Sequence, residues 1–340
     1  MHRALFASLL VLASPLLAQK PVSAELQPAE AAMKKGDFPA ALKLLLAEAE
    51  KGNVVAENLA GEMIFSGRGT AASSEEAARW FEKAANAGDA QAQLNLGRLL
   101  NAGAGVKQDA ERARFLIQQA AESGHAPAQV DFARLLEAGV DLYHRTPDWR
   151  EPRAWLEKAA AQHDAEALYA LVRYYDEGRS GDIDKVKATA LCIQAAQAGS
   201  ALAMNEMGVR YQKGTGISSD NVAAIGWFSI AAQHGAPAAY VNLGNCYETG
   251  NGAMLDYNKA GENYTAGVRL GLAPAALLLG GLFESGKGTA PDPVKALSLY
   301  IRAAKTLPEA AKRRDALREK LTPAQIAEAE KIVAADAKTK

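Results

Sequence analysis

Residues 227–252 read WFSIAAQHGAPAAYVNLGNCYETGNG, and this stretch shows how most of the chain is built. The pairs Trp227-Phe228 and Ala231-Ala232 follow the spacing of one face of an α-helix. Gly235 then offers the left-handed turn that closes a helix. A second apolar segment begins at once and stops near Gly250. The stretch therefore predicts two helices joined by a glycine turn.

The turn glycine of this stretch belongs to a column that recurs along the chain. Its members are Gly52, Gly88, Gly124, Gly199, Gly235 and Gly271. A second column consists of Gly67, Gly103, Gly139, Gly178, Gly214, Gly250 and Gly286. In each column successive members are 36 residues apart, except for one interval that is three residues longer. In the first column this interval leads to position 163, where a histidine, His163, stands in place of the expected glycine. We infer a helical repeat with one three-residue insertion within residues 140–162.

Each repeat predicts a first helix and a second helix. Fifteen residues before each first-column position stands an Asp or Ser that can accept the unpaired N–H groups of a helix start. These residues are Asp37, Ser73, Asp109, Asp148, Asp184, Asp220, Asp256 and Asp292. The second helix begins after the turn and is expected to end at the second glycine column. Since one such pair cannot bury its apolar face alone, the pairs must stack into an all-α solenoid of about seven to eight repeats.

Glycine also occurs inside the second helices, at Gly61, Gly97, Gly208, Gly244 and Gly280. A glycine in a helix interior costs roughly 1 kcal/mol relative to alanine. We expect close approach of a neighbouring helix to compensate for this cost.

The ends of the chain differ from the repeats. Residues 1–18 resemble a secretory signal, with a positive start, an apolar core at 5–12 and a small residue, Ala18, before the expected cleavage point. The alternative is a buried N-terminal helix. Residues 19–36 predict a leading helix, 37–307 the solenoid, and 308–340 a C-terminal helical cap and tail. We therefore expect a protein exported to the periplasm or secreted, without membrane insertion.

Composition excludes several classes of protein. The 38 basic and 39 acidic residues leave a net charge of −1, which argues against a general nucleic-acid binder. Two cysteines can form at most one disulfide, which is too few for a disulfide-stabilised scaffold of this size. Because Cys192 and Cys246 belong to different repeats, we favour two buried thiols over a disulfide.

The sequence offers no pattern for catalysis, and we expect no enzyme, cofactor or metal. No two histidines share a helix face at the spacing of a metal pair, and His125, His163 and His234 fall at or beside the turns. The Gly-x-Gly loops follow helices rather than strands, so the context of a phosphate-binding loop is missing. No Gly-x-Ser-x-Gly run is present.

Two features are candidates for partner binding. The first helices present a variable face opposite the apolar stripe, which in a solenoid would line a continuous concave surface. It carries Arg79, Lys83, Gln119, Lys158, Gln194 and Gln233. The predicted loop at 140–149 adds Tyr143 and Trp149, and such residues are common interface anchors. The alternatives are an ordinary solvated face and a loop that folds back on the stack.

Residues 84–92 (AANAGDAQA), 96–100 (LGRLL), 227–232 (WFSIAA) and 243–252 (LGNCYETGNG) resemble the Sel-one-like repeat, a relative of the tetratricopeptide repeat. The resemblance covers about 37–304. It implies a right-handed α/α superhelix that acts as a protein-interaction scaffold, and bacterial members are often exported. It implies no catalytic residues. A cysteine-rich branch of the family is associated with β-lactam binding or hydrolysis, but this chain lacks its paired cysteines.

The function that follows from the sequence is a non-enzymatic scaffold or adaptor in the bacterial cell envelope. Its partner would be another protein, an envelope or signalling component. A cell-wall or exopolysaccharide-binding protein is the alternative, based on Tyr143, Trp149 and Trp155. A hydrolase is a further, weaker alternative.

Overall fold

The computed structural model describes residues 23–142, 148–179 and 181–338, without the side chains of 140–142, 337 and 338. The expected signal segment 1–18 and Tyr143 lie outside these ranges. Over the described residues the chain is helical and contains no strand. The predicted all-α repeat solenoid of consecutive paired helices is confirmed.

A short 3₁₀ turn at Ala24–Leu26 precedes the α-helices, which we number along the chain. They are α1 (Gln27–Lys34), α2 (Phe38–Ala49), α3 (Val54–Ser66), α4 (Ser74–Asn86), α5 (Ala90–Ala102), α6 (Ala110–Glu122), α7 (Ala126–Leu142), α8 (Arg150–Ala160), α9 (Ala165–Glu177), α10 (Lys185–Gln197), α11 (Ala201–Lys213), α12 (Asn221–Gln233), α13 (Pro237–Thr249), α14 (Tyr257–Arg269), α15 (Ala273–Ser285), α16 (Pro293–Ala303), α17 (Pro308–Arg318) and α18 (Pro323–Lys338). The even-numbered helices α2 to α16 are the first helices of the repeats, and the odd-numbered helices α3 to α15 are the second helices.

The chain divides into two compact units, Met1–Ala167 and Leu168–Lys340. In each unit consecutive helices pack side by side. The core of the first unit includes Leu45, Ile64 and Phe81, which are almost completely buried. In the second unit α18 packs against α16, where Tyr300 and Ala329 are buried in one cluster.

The predicted cap residues start the first helices at every repeat but one. Asp37, for example, accepts the N–H of Ala40 at 3.1 Å. Ser73, Asp109, Asp184, Asp220, Asp256 and Asp292 do the same in their own helices. These caps depend only on residues three apart, so the sequence is enough to predict them.

The prediction for Asp148 is wrong, because α8 begins at Arg150 with Trp149 in the cap position. A helix capped by Asp148 would need the N–H of residue 152 to bond to the Asp148 carbonyl, and that residue is Pro152. The first bond instead runs from the N–H of Arg153 to the carbonyl of Trp149, at 3.2 Å. Asp148 accepts the N–H of Arg150 at 3.1 Å.

Gly139 was expected to end its helix and does not. It lies inside α7, which continues to Leu142 and has 17 residues where other second helices have 13. The expected loop at 140–149 is therefore helical over 140–142. In five of the other repeats a second glycine follows two residues later, and Gly105, for example, packs against Ser74 of the preceding first helix. Asp141 stands at that position of this repeat.

His163 shows that the turn itself is kept where the glycine is lost. It is the one described residue other than glycine with a positive φ, +61°. Glycines of the same column adopt similar values, such as +85° at Gly52 and +84° at Gly235.

The glycines inside the second helices make room for side chains of the following first helix. A Cβ on Gly61 would lie 2.6 Å from Cε1 of Phe81, and one on Gly280 would lie 2.6 Å from Cε1 of Tyr300. Gly97, Gly208 and Gly244 meet Ile117, Phe228 and Tyr264 in the same way. The predicted close approach is confirmed, and bulky side chains rather than helix backbones fill the space.

Candidate functional site

The six residues predicted on the first helices are all exposed. Arg79 and Lys83 lie together on α4, Gln119 lies on α6 and Lys158 on α8, within the first unit. Gln194 and Gln233 lie on α10 and α12 of the second unit. This surface stays a prediction as a binding site.

The contacts of these residues are local to their helices. Arg79 pairs with Glu75 at 2.6 Å. Lys83 Nζ lies 4.0 Å from the ring centroid of Trp80. Such pairs at an exposed surface contribute little to stability, so the charged groups are available to a partner at low cost.

The aromatic residues considered for sugar binding are not arranged as a flat platform. Lys158 Nζ covers the Trp155 ring at 3.7 Å, and Phe132 meets that ring edge-on, with centroids 5.4 Å apart. Trp149 is half-buried at the start of α8, and Tyr143 lies outside the described residues.

A second polar surface runs along the second helices of the first unit. Here polar side chains, most of them buried or half-buried, bond from one second helix to the next. We call this set the second-helix row: Asn58, Glu62, Asn95, Arg98, Asp131, Arg134 and Glu166. It passes from α3 through α5 and α7 to the start of α9.

The row begins with a carboxylate between two asparagines. Asn58 and Asn95 are each only 3% exposed. Glu62 Oε1 accepts from Nδ2 of Asn58 at 3.1 Å and from Nδ2 of Asn95 at 3.3 Å. Asn95 Nδ2 also donates to Asn58 Oδ1 at 3.1 Å. Burial raises the pKa of Glu62, although both asparagine bonds oppose the shift.

Ion pairs continue the row. Arg98 Nε donates to Asp131 Oδ2 at 2.6 Å. Arg134 lies 3.4 Å from the other oxygen of Asp131 and also bonds to Glu166. Each arginine is therefore matched by an acid on the next second helix.

His125 stands near this row and starts α7. Its Nδ1 accepts the N–H of Ala128 at 3.3 Å, so the ring acts as a helix cap in its neutral form. Burial lowers the pKa of His125, and the positive charge of Arg98 adds to that effect.

The second-helix row was not predicted, although the sequence contains a signal for it. The position ten residues after the first glycine column carries Glu62, Arg98, Arg134 and Arg173 in four successive repeats. Charged residues at a fixed position between apolar columns indicate a shared environment. The partners of Glu62, Arg98 and Arg134 on other second helices lie more than 30 positions away, so these bonds between helices could not be predicted.

The second unit contains a fully buried arginine that was not predicted either. Arg210 is 0% exposed. It stands in a column otherwise filled by Met63, Leu99, Leu135, Tyr174, Cys246 and Leu282. Its Nη1 donates to Thr189 Oγ1 at 3.0 Å, its Nη2 bonds to Asp176, and its Nε lies 3.4 Å from Glu206 Oε1. A buried charge persists only when paired in this way.

The two cysteines are buried and unbridged, as predicted. Burial raises the pKa of the Cys192 thiol to about 12, which makes it unreactive at neutral pH. Within the described ranges no group of three or more His, Cys, Asp or Glu could hold a metal ion. None of the helices there combines the length and apolarity that crossing a membrane requires.

Comparisons with known proteins agree with the repeat pattern. The family model described as Sel1 repeat matches residues 54–89, 90–125, 153–164, 163–200, 201–235, 237–272 and 273–305. Apart from the short match at 153–164, its units begin at or just before second helices, half a repeat out of phase with the sequence-based division. No curated protein matches the chain.

Two solved structures resemble the chain along most of its length. The first is c5321 of uropathogenic Escherichia coli, described as a protective antigen with an SLR fold. It has 28% identity and a TM-score of 0.72, over 91% of this chain and 67% of that one. The second is a Sel1 repeat protein from Oxalobacter formigenes, with 27% identity and a TM-score of 0.63, over 85% of this chain and 86% of that one. With seven matched repeats and paired helices throughout its described length, this chain belongs to the Sel1 repeat family.

Proposed function

We propose that the protein is a non-enzymatic scaffold that binds another protein in the bacterial cell envelope. Sel1 repeat proteins generally act as protein-interaction scaffolds, which supports the first half of this proposal. The observation that carries it is the second-helix row. From α3 to the start of α9 it presents hydrogen-bonding side chains held in place by one another.

A surface of this kind suits a protein partner. Side chains that are already ordered lose little conformational freedom on binding, so more of the contact energy appears as affinity. The exposed first-helix residues Arg79, Lys83 and Lys158 form a second surface on which charge can steer a partner. The two surfaces lie on different helices and can be tested separately.

Site-specific photo-cross-linking in cells tests the proposal. A photoreactive amino acid replaces Lys83 on the first-helix surface, Gln91 beside the second-helix row, or Lys331 on α18 as a control. We expect one dominant protein adduct from Lys83 or Gln91 and none from Lys331. Absence of an adduct above background at both positions would count against a scaffold role.

Export is part of the same proposal. Residues 1–18 have the features of a cleaved signal, and a similar protein is described as a protective antigen. We expect the mature chain to begin at Gln19. Cell fractionation and N-terminal sequencing check this, with deletion of residues 2–18 as the control that should stay in the cytoplasm. An uncleaved N-terminus on the full chain would refute the signal assignment.

A further inference from the structure

The carboxylate of Glu62 lies at the start of the second-helix row, and other side chains fix its orientation. Asn58 and Asn95 both donate to Oε1. Gln91 Nε2 in turn donates to Asn95 Oδ1 at 3.0 Å, which orients the Asn95 amide. These bonds leave Oε2 as the oxygen that a further donor could reach.

Glu62 differs from the rest of the row in having no counter-ion. No Lys, Arg or His of the described residues forms an ion pair with it. At the equivalent position of the next two repeats stand Arg98 and Arg134, each paired with an acid. Glu62 therefore carries the opposite charge to Arg98 and Arg134, and no positively charged side chain of the described residues pairs with it.

An unpaired carboxylate in a half-buried place is unfavourable. Amide donors recover only part of the hydration that a carboxylate loses on burial. The raised pKa of Glu62 has the same cause. A cation from outside the chain would therefore gain a favourable ion pair with this carboxylate.

We infer that Glu62, oriented by Asn58 and Asn95, is the binding site for a lysine or arginine side chain of the protein partner. The inference rests on the proposed scaffold function and names the chemistry of its partner. A cationic group at Oε2 would supply the missing charge and give Glu62 the same kind of ion pair that Arg98 and Arg134 make. Charge-assisted hydrogen bonds of this kind are among the strong polar contacts.

Peptides selected from a random phage-displayed library are the probe. The purified mature protein is the bait, and the selected peptides are synthesised and titrated against variants. We expect enrichment of peptides with a Lys or Arg, and about tenfold weaker binding of these peptides to Glu62→Gln, which corresponds to about 1.4 kcal/mol. Glu75→Gln is the matched control, because Glu75 is an acid of the same unit that is paired with Arg79. The affinity of Glu75→Gln for the selected peptides should stay within about twofold of the wild-type affinity.

Glu62→Arg, which copies the neighbouring repeats, gives an independent readout. The same basic peptides should lose binding, and a new selection on this variant should favour acidic residues. Circular dichroism and thermal unfolding confirm that each variant is folded.

The inference would be overturned by failure to select any peptide, by selection of peptides without a basic residue, or by equal binding to wild type and Glu62→Gln. A concentration-dependent dimer that Glu62→Gln abolishes would also overturn it, because the cation would then come from a second copy of the chain. If Glu62→Gln retains the photo-cross-linked partner at full strength, the scaffold proposal stands and only this site is refuted.

Discussion

The ring of Phe228 on α12 lies directly against the backbone of Gly208 on α11, in space that a Cβ at Gly208 would occupy. The same relationship joins Gly61 to Phe81 and Gly280 to Tyr300, always 20 residues apart. The repeat is therefore held together by a small residue on a second helix and a bulky one on the next first helix.

Replacing Gly208 by alanine should destabilise the protein by about 1–3 kcal/mol, because the added methyl group must displace the Phe228 ring. Gly226 is the matched control, since it lies inside α12 of the same unit and a Cβ added there would have no atom within 4 Å. Gly226→Ala should raise the free energy of unfolding by up to about 1 kcal/mol through helix propensity. Urea unfolding followed by circular dichroism measures both, and equal effects would contradict the packing argument.

Replacing Arg210 by leucine should cost about 3 kcal/mol, although three other repeats carry leucine in this column. The loss follows because the carboxylates of Asp176 and Glu206 would keep their charge without the guanidinium. Adding Asp176→Asn should recover part of the loss. Arg173→Leu is the control, because Arg173 is exposed and only 3.8 Å from Glu177 in its own helix, and it should change stability by less than about 1 kcal/mol.

The stability of the first unit should depend on pH through His125. Its pKa in the folded protein is lowered from the ordinary value of 6.5, so the unfolded chain binds the proton more readily. The neutral ring of His125 therefore contributes to the free energy of unfolding above about pH 6.5, and this contribution is lost as the pH falls below that value.

Asparagine at position 125 can cap α7 without titrating. The fall in unfolding free energy between about pH 7.5 and pH 5.5 should be smaller in His125→Asn than in wild type. Thermal unfolding across this range measures the difference. An unchanged pH dependence would show that the ring is not held neutral by burial.

Glu62→Gln should stabilise the free protein at neutral pH. The pKa of Glu62 is raised above 4.5 in the folded state, so its contribution to stability is full below the unfolded value and is lost as the pH rises through the folded value. The amide removes this loss, and the melting temperature at pH 7 should rise by about 2 °C. The gain should shrink as the pH falls through about 4.5 and disappear near about pH 3, where the carboxyl group is protonated in both states. A lower melting temperature at pH 7 would mean that the charge of Glu62 is already compensated.

The sequence alone determined the features that depend on neighbouring residues. Helix caps, glycine turns and apolar faces arise from groups within one or two helical turns of each other, and the 36-residue spacing repeats them. For the same reason the late start of α8 could have been foreseen from Pro152, whose missing N–H is a local property.

Only the tertiary structure decided how repeats contact each other. Gly139 can lie in a helix or end one, and the presence of the glycine alone does not distinguish the two. Asn58 and Asn95 meet across 37 residues, and Arg210 meets Asp176 across 34. In the sequence these residues are only polar positions on helices. Their burial, and the missing counter-ion of Glu62, exist only once the helices are stacked, because desolvation and pairing depend on what surrounds each group in space.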